Sequence, residues 1–313
     1  MSFSSKIKSN LSKITYDSKC CQRAELSAVI RTSGAITLRG FSDIDITIRT
    51  ENASIARLVF TLYKKIYNLH TELIIRKGSG VKKGNVYEIL IENTQDILLD
   101  LGIIANDDNS FLINNSVPEK FINSECCPRA YIRGAFLGCG SVLNPEKGYH
   151  LEFSMHSSSF AEDFAKLLNI YELNAKVIAR KSNFIVYIKE SERIVDVLNI
   201  IGAHKTLLDF ENVRIIKEMR NNVNRVVNCE TANLSKTVNA SYNQIENIKR
   251  LDELVGLDNL PNTLKELAYL RLENEEMSLK ELGEIMNPPV GKSGVNRRFK
   301  KMERLIGEIL NRE

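Results

Sequence analysis

The sequence predicts an α+β protein: a pseudo-twofold duplicated αββαββα domain followed by an all-α helix-turn-helix domain. Three observations carry this reading. Residues 20–34, CCQRAELSAVIRTSG, recur without a gap at residues 126–140, CCPRAYIRGAFLGCG, 106 residues further on. The same succession of strand and helix periodicities follows each copy. Beyond residue 203 the strand pattern stops, and the chain finishes on a short helix, a tight turn and a longer basic helix.

A period this long is no solenoid, whose units run ~20–50 residues; it marks two half-domains sharing one core. Arg23 matches Arg129, Ala24 matches Ala130 and Leu26 matches Ile132. Gly134 and Gly138 stand four apart, as do Ala28 and Thr32 in the first copy, so small residues line one helical face where two backbones can approach closely. Gly34 and Gly140 are the expected helix stops. Residues 3–16 read as an amphipathic lead-in and 20–32 as the first repeat helix. Alternating residues at 35–39 and 44–48 predict strands. A helix over 54–69 gathers Ile55, Leu58, Val59, Leu62, Ile66 and Leu69 on one face. Strands at 71–77 and 86–92 flank the Gly/Lys-rich turn 78–84, and a helix over 95–103 closes the unit. The polar, Asn-rich stretch 105–125 links the halves. The second half is expected as helix 128–138, strands 141–143 and 149–155, helix 159–170, strands 174–180 and 183–189, and helix 190–201. The expected domains are 1–104, linker 105–125, 126–203, a helical connector 204–255 and 256–313.

Composition narrows the class. Hydrophobic content of 43% and charged content of 26% are those of a globular protein. No apolar run reaches the ~18 residues of a membrane span, and MSFSSKIKSN lacks the apolar core of a signal peptide, so a cytoplasmic protein with no membrane partner is expected. A net charge of +4 is too small to argue for nucleic acid, so the distribution of charge must do so. The six cysteines include the adjacent pairs Cys20-Cys21 and Cys126-Cys127. Neighbouring cysteines make poor disulfides and no Cys-x-x-Cys spacing is present, so reduced packing thiols are expected, with no metal and no cofactor. His150 and His156 read as ordinary residues beside a strand rather than as ligands.

The C-terminal third carries the binding chemistry. A helix over 206–228 has an apolar stripe that includes Leu207, Leu208, Phe210, Val213, Ile215, Ile216, Met219, Val223, Val226 and Val227. Its other face holds Arg214, Lys217, Arg220 and Arg225, candidates for phosphate contact. A further helix is expected over about 235–254 and another over 264–272. Ser278, with Glu281 at the capping-box position, starts a short helix that Asn287-Pro288-Pro289 ends. Ser293 is expected to cap a third helix reaching about residue 310, buried through Val295, Phe299, Met302, Leu305, Ile306 and Ile309. The opposite face offers Ser293, Asn296, Arg297 and Lys300 to a major groove, and the DNA-binding candidates are Ser278, Lys280, Lys292, Ser293, Asn296, Arg297, Arg298, Lys300 and Lys301. Arginine reads guanine bidentately and asparagine reads adenine, while phosphate contacts set position. The expected partner is double-stranded DNA.

The stretches LSAVIRTSG (26–34) and IRGAFLGCG (132–140) resemble the two LAGLIDADG helices of single-chain homing endonucleases. That resemblance implies a saddle of strands lying on DNA and an acidic metal ligand just before each final glycine. Those places hold Ser33 and Cys139, and neither a hydroxyl nor a thiol suits hard Mg²⁺. The scaffold is expected to be kept and the catalysis lost. Arg39, Arg49, Arg76, Lys77, Arg180, Lys181 and Lys189 are available to the saddle, but Asp43, Asp45, Glu88, Glu92 and Glu152 lie on the same strands, so an auxiliary role is expected for it. Over nearly its full length the chain resembles the WhiA regulators of Gram-positive bacteria, most specifically at 129–153, 224–241 (NRVVNCETANLSKTVNAS) and 278–298. The resemblance implies a DNA-binding regulator of sporulation genes where the host sporulates, and of cell division or chromosome organisation in others. A nucleoid-associated, non-enzymatic protein with another regulatory protein as a second partner is expected. Two alternatives stay open: an architectural or partner-binding nucleoid protein, and an active endonuclease. Ser33 and Cys139 disfavour the latter, since Glu125 is too far from the helix end and Asp43 and Asp45 have no equivalent in the second copy. Because the duplication already supplies the pseudo-symmetry, a monomer is expected.

Overall fold

The computed structural model describes residues 2–39, 43–77, 84–92, 94–107 and 110–311. Most of the predicted turn 78–84 therefore lies outside the described residues, as do the side chains of Arg39 and Asp43. The chain divides into two compact units, Met1–Lys217 and Glu218–Glu313.

The first unit opens with α1 (Phe3–Leu11), seated through Ile7 and Leu11, and α2 (Lys19–Ser33). Then come β1 (Gly34–Arg39), β2 (Asp43–Thr50), α3 (Ala53–Tyr67), β3 (Glu72–Lys77), β4 (Asn85–Ile91) and α4 (Gln95–Asp100). The predicted linker is more ordered than its composition suggests. It holds a hairpin, β5 (Ile104–Asp107) and β6 (Ser110–Ile113), and a single turn, α5 (Glu119–Ile122). The second half repeats the plan: α6 (Cys127–Cys139), β7 (Gly140–Val142), β8 (Leu151–Met155), α7 (Ser158–Asn169), β9 (Lys176–Arg180), β10 (Asn183–Ile188) and α8 (Ser191–Ile200). The sheets are antiparallel and have matching orders, β1-β2-β4-β3 and β7-β8-β10-β9. Period-two burial explains them: Ile44, Ile46 and Ile48 on β2 and Leu151, Phe153 and Met155 on β8 all point into the core.

The sheets and peripheral helices close around α2 and α6, which pack directly on one another. The small residues do what their spacing predicts, since a Cβ on Gly134 would collide with the Glu25 carbonyl and stand 2.8 Å from the Ala28 methyl. Gly34 and Gly140 end their helices by a different route from the expected left-handed stop. Both are extended (φ −87° and −73°) and pass straight into β1 and β7. Across the same interface Glu25 and Arg133, 0% and 2% exposed, form a bidentate pair with both N–O distances 2.7 Å. Arg133 also donates to the Ile14 carbonyl and lies 3.9 Å over the Tyr16 ring.

One 52-residue helix, α9 (His204–Val255), replaces the two helices expected over 206–228 and 235–254. Its apolar stripe is not a core stripe. Phe210 is buried, but Leu208, Ile215, Ile216, Met219, Val223, Val226 and Val227 are exposed, and every residue from 218 to 240 is exposed. In the second unit Ile248 and Leu251 of α9 join a 3-10 turn (Leu257–Asn259), α10 (Asn262–Glu273), α11 (Leu279–Ile285) and α12 (Lys292–Leu310) around a separate core. Among the described residues no helix is long and apolar enough to cross a membrane.

Candidate nucleic-acid interface

The three C-terminal helices build a helix-turn-helix from its caps outward. Ser278 Oγ accepts from the Glu281 amide and the Glu281 carboxylate accepts from the Ser278 amide, so the predicted capping box starts α11. The turn is drawn tight by the Val290 amide donating to the Gly283 carbonyl at 2.8 Å. Gly283 is required there: a Cβ would collide with the Val290 carbonyl and stand 3.0 Å from Val295 Cγ2. The turn also moves the start of α12. Its N-cap is Gly291, whose carbonyl takes the first helical bonds from Gly294 and Val295, so Ser293 lies inside the first turn and does not cap.

α12 buries Val295, Phe299, Met302 and Ile306 at three-to-four spacing against α10 and α11. The facing stripe, Lys292, Ser293, Asn296, Arg297, Lys300 and Lys301, is exposed. Among the described residues none of these six has an ion-pair or side-chain hydrogen-bond partner. Free donors on an exposed helix face are what base-edge and phosphate recognition requires. The remaining candidates are less available. Lys280 lies 3.8 Å from Glu284 one turn along, Arg298 is half-buried with Nη1 3.5 Å from Met286 Sδ, and Ser278 is committed to its cap.

A residue that sequence reasoning misses holds this module together. Arg271, 1% exposed, donates from Nη1 to the carbonyls of Met277 (2.6 Å), Asn274 (3.3 Å) and Glu275 (3.4 Å), and its guanidinium lies 5.7 Å from the Phe299 ring centroid. Burial pulls its pKa below the usual arginine value. It fixes the turn leading into α11 and braces α12 from beneath.

The α9 candidates separate into two kinds. Arg214 pairs with Glu211 (2.9 Å) and Glu192 (3.6 Å), and Lys217 donates to the Pro145 carbonyl while lying 5.2 Å over Tyr149. Both fasten α9 to the first unit. Arg220 and Arg225 are exposed and without a partner among the described residues. On the first sheet Glu88 accepts from both Arg49 and Arg76 at 2.8 Å, so two saddle cations are neutralised in place. Lys77, Arg180, Lys181 and Lys189 are exposed.

At the C-terminal ends of α2 and α6, Ser33 Oγ donates to the Val29 carbonyl, and burial pushes the Cys139 thiol up to about 12. Neither offers an ionised ligand. At the opposite ends, Cys20, Cys21, Cys126 and Cys127 come together with all four sulfurs within 4.8 Å of one another. Among the described residues this is the one group of three or more His, Cys, Asp or Glu side chains placed to hold a metal ion. The signal is present in the sequence, since a repeated Cys-Cys at the start of two paired helices must bring the pairs together.

The fold and site define a class: a duplicated αββαββα scaffold joined to a helix-turn-helix module. Three family models match in succession, the WhiA N-terminal LAGLIDADG-like domain over residues 19–104, the WhiA LAGLIDADG-like domain over 128–220 and the WhiA C-terminal HTH domain over 223–306. The chain belongs to the WhiA family. It is 51% identical over 308 residues to the probable cell division protein WhiA of Alkaliphilus metalliredigens, covering 97% of each chain. To its namesake in Clostridium novyi it is 48% identical over 312 residues, covering 99% of this chain and 98% of that one. Among solved structures, full-length DUF199/WhiA from Thermatoga maritima matches with a TM-score of 0.61 at 26% identity, over 98% of this chain and 99% of that one.

Proposed function

We propose that this protein is a sequence-selective DNA-binding regulator of cell division, and of sporulation or chromosome organisation where the host requires it. In this reading α12 is the recognition helix and double-stranded DNA the partner. The observation that carries it is the exposed, unpartnered stripe Ser293–Asn296–Arg297–Lys300 on a helix whose other face is locked into a capped helix-turn-helix. The naming of its relatives as probable cell division proteins suggests the process. The LAGLIDADG-like scaffold is catalytically inactive, because Ser33 and Cys139 cannot supply the carboxylate oxygens that a hard divalent ion needs. It acts as an auxiliary element in a monomer whose two halves already complete the pseudo-twofold, in a cytoplasmic, nucleoid-associated protein.

A second role for the scaffold, binding another regulatory protein, is favoured by its edge strands. Leu73, Ile74 and Ile75 on β3 and Val177 and Ile178 on β9 are exposed, and apolar side chains at a sheet edge suit a protein better than a phosphate backbone.

The test is equilibrium binding of the full chain to genomic fragments over a salt series. Replacing both Lys300 and Lys301 by alanine is expected to weaken binding to all fragments alike. If each lysine covers one phosphate, the log–log salt slope should shrink by about 0.9 for each phosphate left uncovered. An unchanged slope would remove α12 from the DNA.

A further inference from the structure

We propose that Cys20, Cys21, Cys126 and Cys127 form a structural tetrathiolate site for one Zn²⁺, clamping the N-terminal ends of α2 and α6 to each other. The sulfur geometry fits a single ion. Four sulfurs around one Zn²⁺ at about 2.3 Å occupy the corners of a tetrahedron with edges of about 3.8 Å. Cys20 Sγ and Cys126 Sγ are 3.6 Å apart, Cys126 Sγ and Cys127 Sγ 3.9 Å, and no pair exceeds 4.8 Å. A disulfide would need about 2.05 Å. A two- or four-iron cluster places its thiolates on different irons around inorganic sulfide, which spreads them further than one central ion does. A single ion with sulfur-only, four-coordinate geometry is the arrangement that zinc takes.

The electrostatic surroundings, which involve different atoms, favour the same centre. The 15-residue α2 and the 13-residue α6 both begin at this point, and neither N-cap side chain caps its helix, although Ser124 Oγ accepts from the Cys127 amide, so two positive helix ends lie beside the four sulfurs. Ser18 Oγ stands 2.8 Å from Cys20 Sγ, placed to donate to a thiolate. Arg129 lines the cavity beside Cys21 and Cys126 together with Glu125, while Arg133, also there, is already paired with Glu25. A centre of one Zn²⁺ and four thiolates carries two net negative charges, which the helix ends, the Ser18 hydroxyl and Arg129 offset in part. Each cysteine binds as a thiolate and gives its proton to solvent.

The pairing also explains the layout. Cys21 and Cys127 are buried beneath the site while Cys20 and Cys126 are exposed above it, so an ion reaches the cluster from solvent and is then enclosed. Four protein ligands leave no open position, which makes the site structural rather than catalytic. Each half of the duplication supplies two ligands, so the metal joins chain segments that are 106 residues apart at their closest exposed pair.

The experiment uses the full chain, purified under reducing conditions and supplied with Zn²⁺. Elemental analysis should give about one zinc per chain, and the zinc X-ray absorption edge should show four sulfurs at about 2.3 Å. Exchange with Co²⁺ should produce thiolate-to-cobalt charge-transfer absorption and tetrahedral bands. The double variant Cys20→Ser/Cys126→Ser, which keeps the two buried thiols, should lose at least tenfold in bound zinc. Cys229→Ser, at an exposed cysteine outside the cluster, should keep full stoichiometry. A chain that takes up no zinc, a ligand shell dominated by nitrogen or oxygen, iron–sulfur absorption, or a Cys20–Cys126 disulfide in the reduced preparation would overturn the proposal. Should the double variant fail to fold, the absorption edge of the unaltered protein still decides.

Discussion

Replacing Arg133 by Met is expected to destabilise the first unit by about 3–5 kcal/mol, the cost of leaving one partner of a buried ion pair uncompensated. Glu25 is fully enclosed and receives both its strong hydrogen bonds from Arg133. The variant strands that carboxylate in the α2–α6 interface and also removes a donor from the Ile14 carbonyl. Methionine fills most of the arginine stem, so the loss is electrostatic rather than a packing void. Adding Glu25→Leu should recover most of the stability, because an apolar pair of similar volume avoids the desolvation cost altogether. Denaturant unfolding of both single variants and the double variant reads this out. Near-additive losses would show that the pair acts through packing and not as a couple.

Arg271→Met should destabilise the second unit by about 2–4 kcal/mol, because Met277, Asn274 and Glu275 lose a charged donor to their carbonyls at one stroke. DNA binding should fall with it, although Arg271 is buried and offers nothing to DNA directly. Lysine at 271 should be intermediate: an ammonium keeps the charge and reaches fewer of the three carbonyls than the planar guanidinium does. Thermal unfolding followed alongside DNA affinity separates this positioning role from direct contact. A variant of full stability and reduced affinity would contradict it.

The scaffold is legible because its information is local and repeated. Ile44–Ile46–Ile48 and Leu151–Phe153–Met155 alternate as strands do, and the 20–34 repeat fixes which elements correspond. The helix-turn-helix is legible through its capping box and Pro-Pro turn. α9 is not, because the polar run 224–241 looks like a break in an amphipathic pattern. Yet residues 204–255 contain neither glycine nor proline, and a helix with nothing to stop it continues. The pairing of β5 with β6 is hidden by the polar composition around it, although Ile104–Ala105 and Phe111–Leu112 are strand-forming residues. Glu25, Arg133 and Arg271 are not legible, since their burial depends on partners contributed by other elements. Each cysteine pair taken alone says little, and the signal lies in the repetition of Cys-Cys at the start of two helices that the pseudo-twofold pairs. Along α12 the sequence marks the exposed face but not the availability of each side chain on it. Arg298 is held by Met286, which only the packing of α12 against the end of α11 determines, whereas Lys280 meets Glu284 one turn along its own helix.

The most direct test of sequence reading by α12 is selection from a pool of genomic fragments by the full-length protein and by its Asn296→Ala/Arg297→Ala variant at one salt concentration. The unaltered protein should enrich a discrete set of sites. The variant should keep weak, salt-dependent binding but lose at least tenfold of that enrichment, since each base-edge contact is worth about 1–3 kcal/mol and ~1.4 kcal/mol is tenfold. Undiminished enrichment by the variant would contradict the assignment of sequence reading to α12.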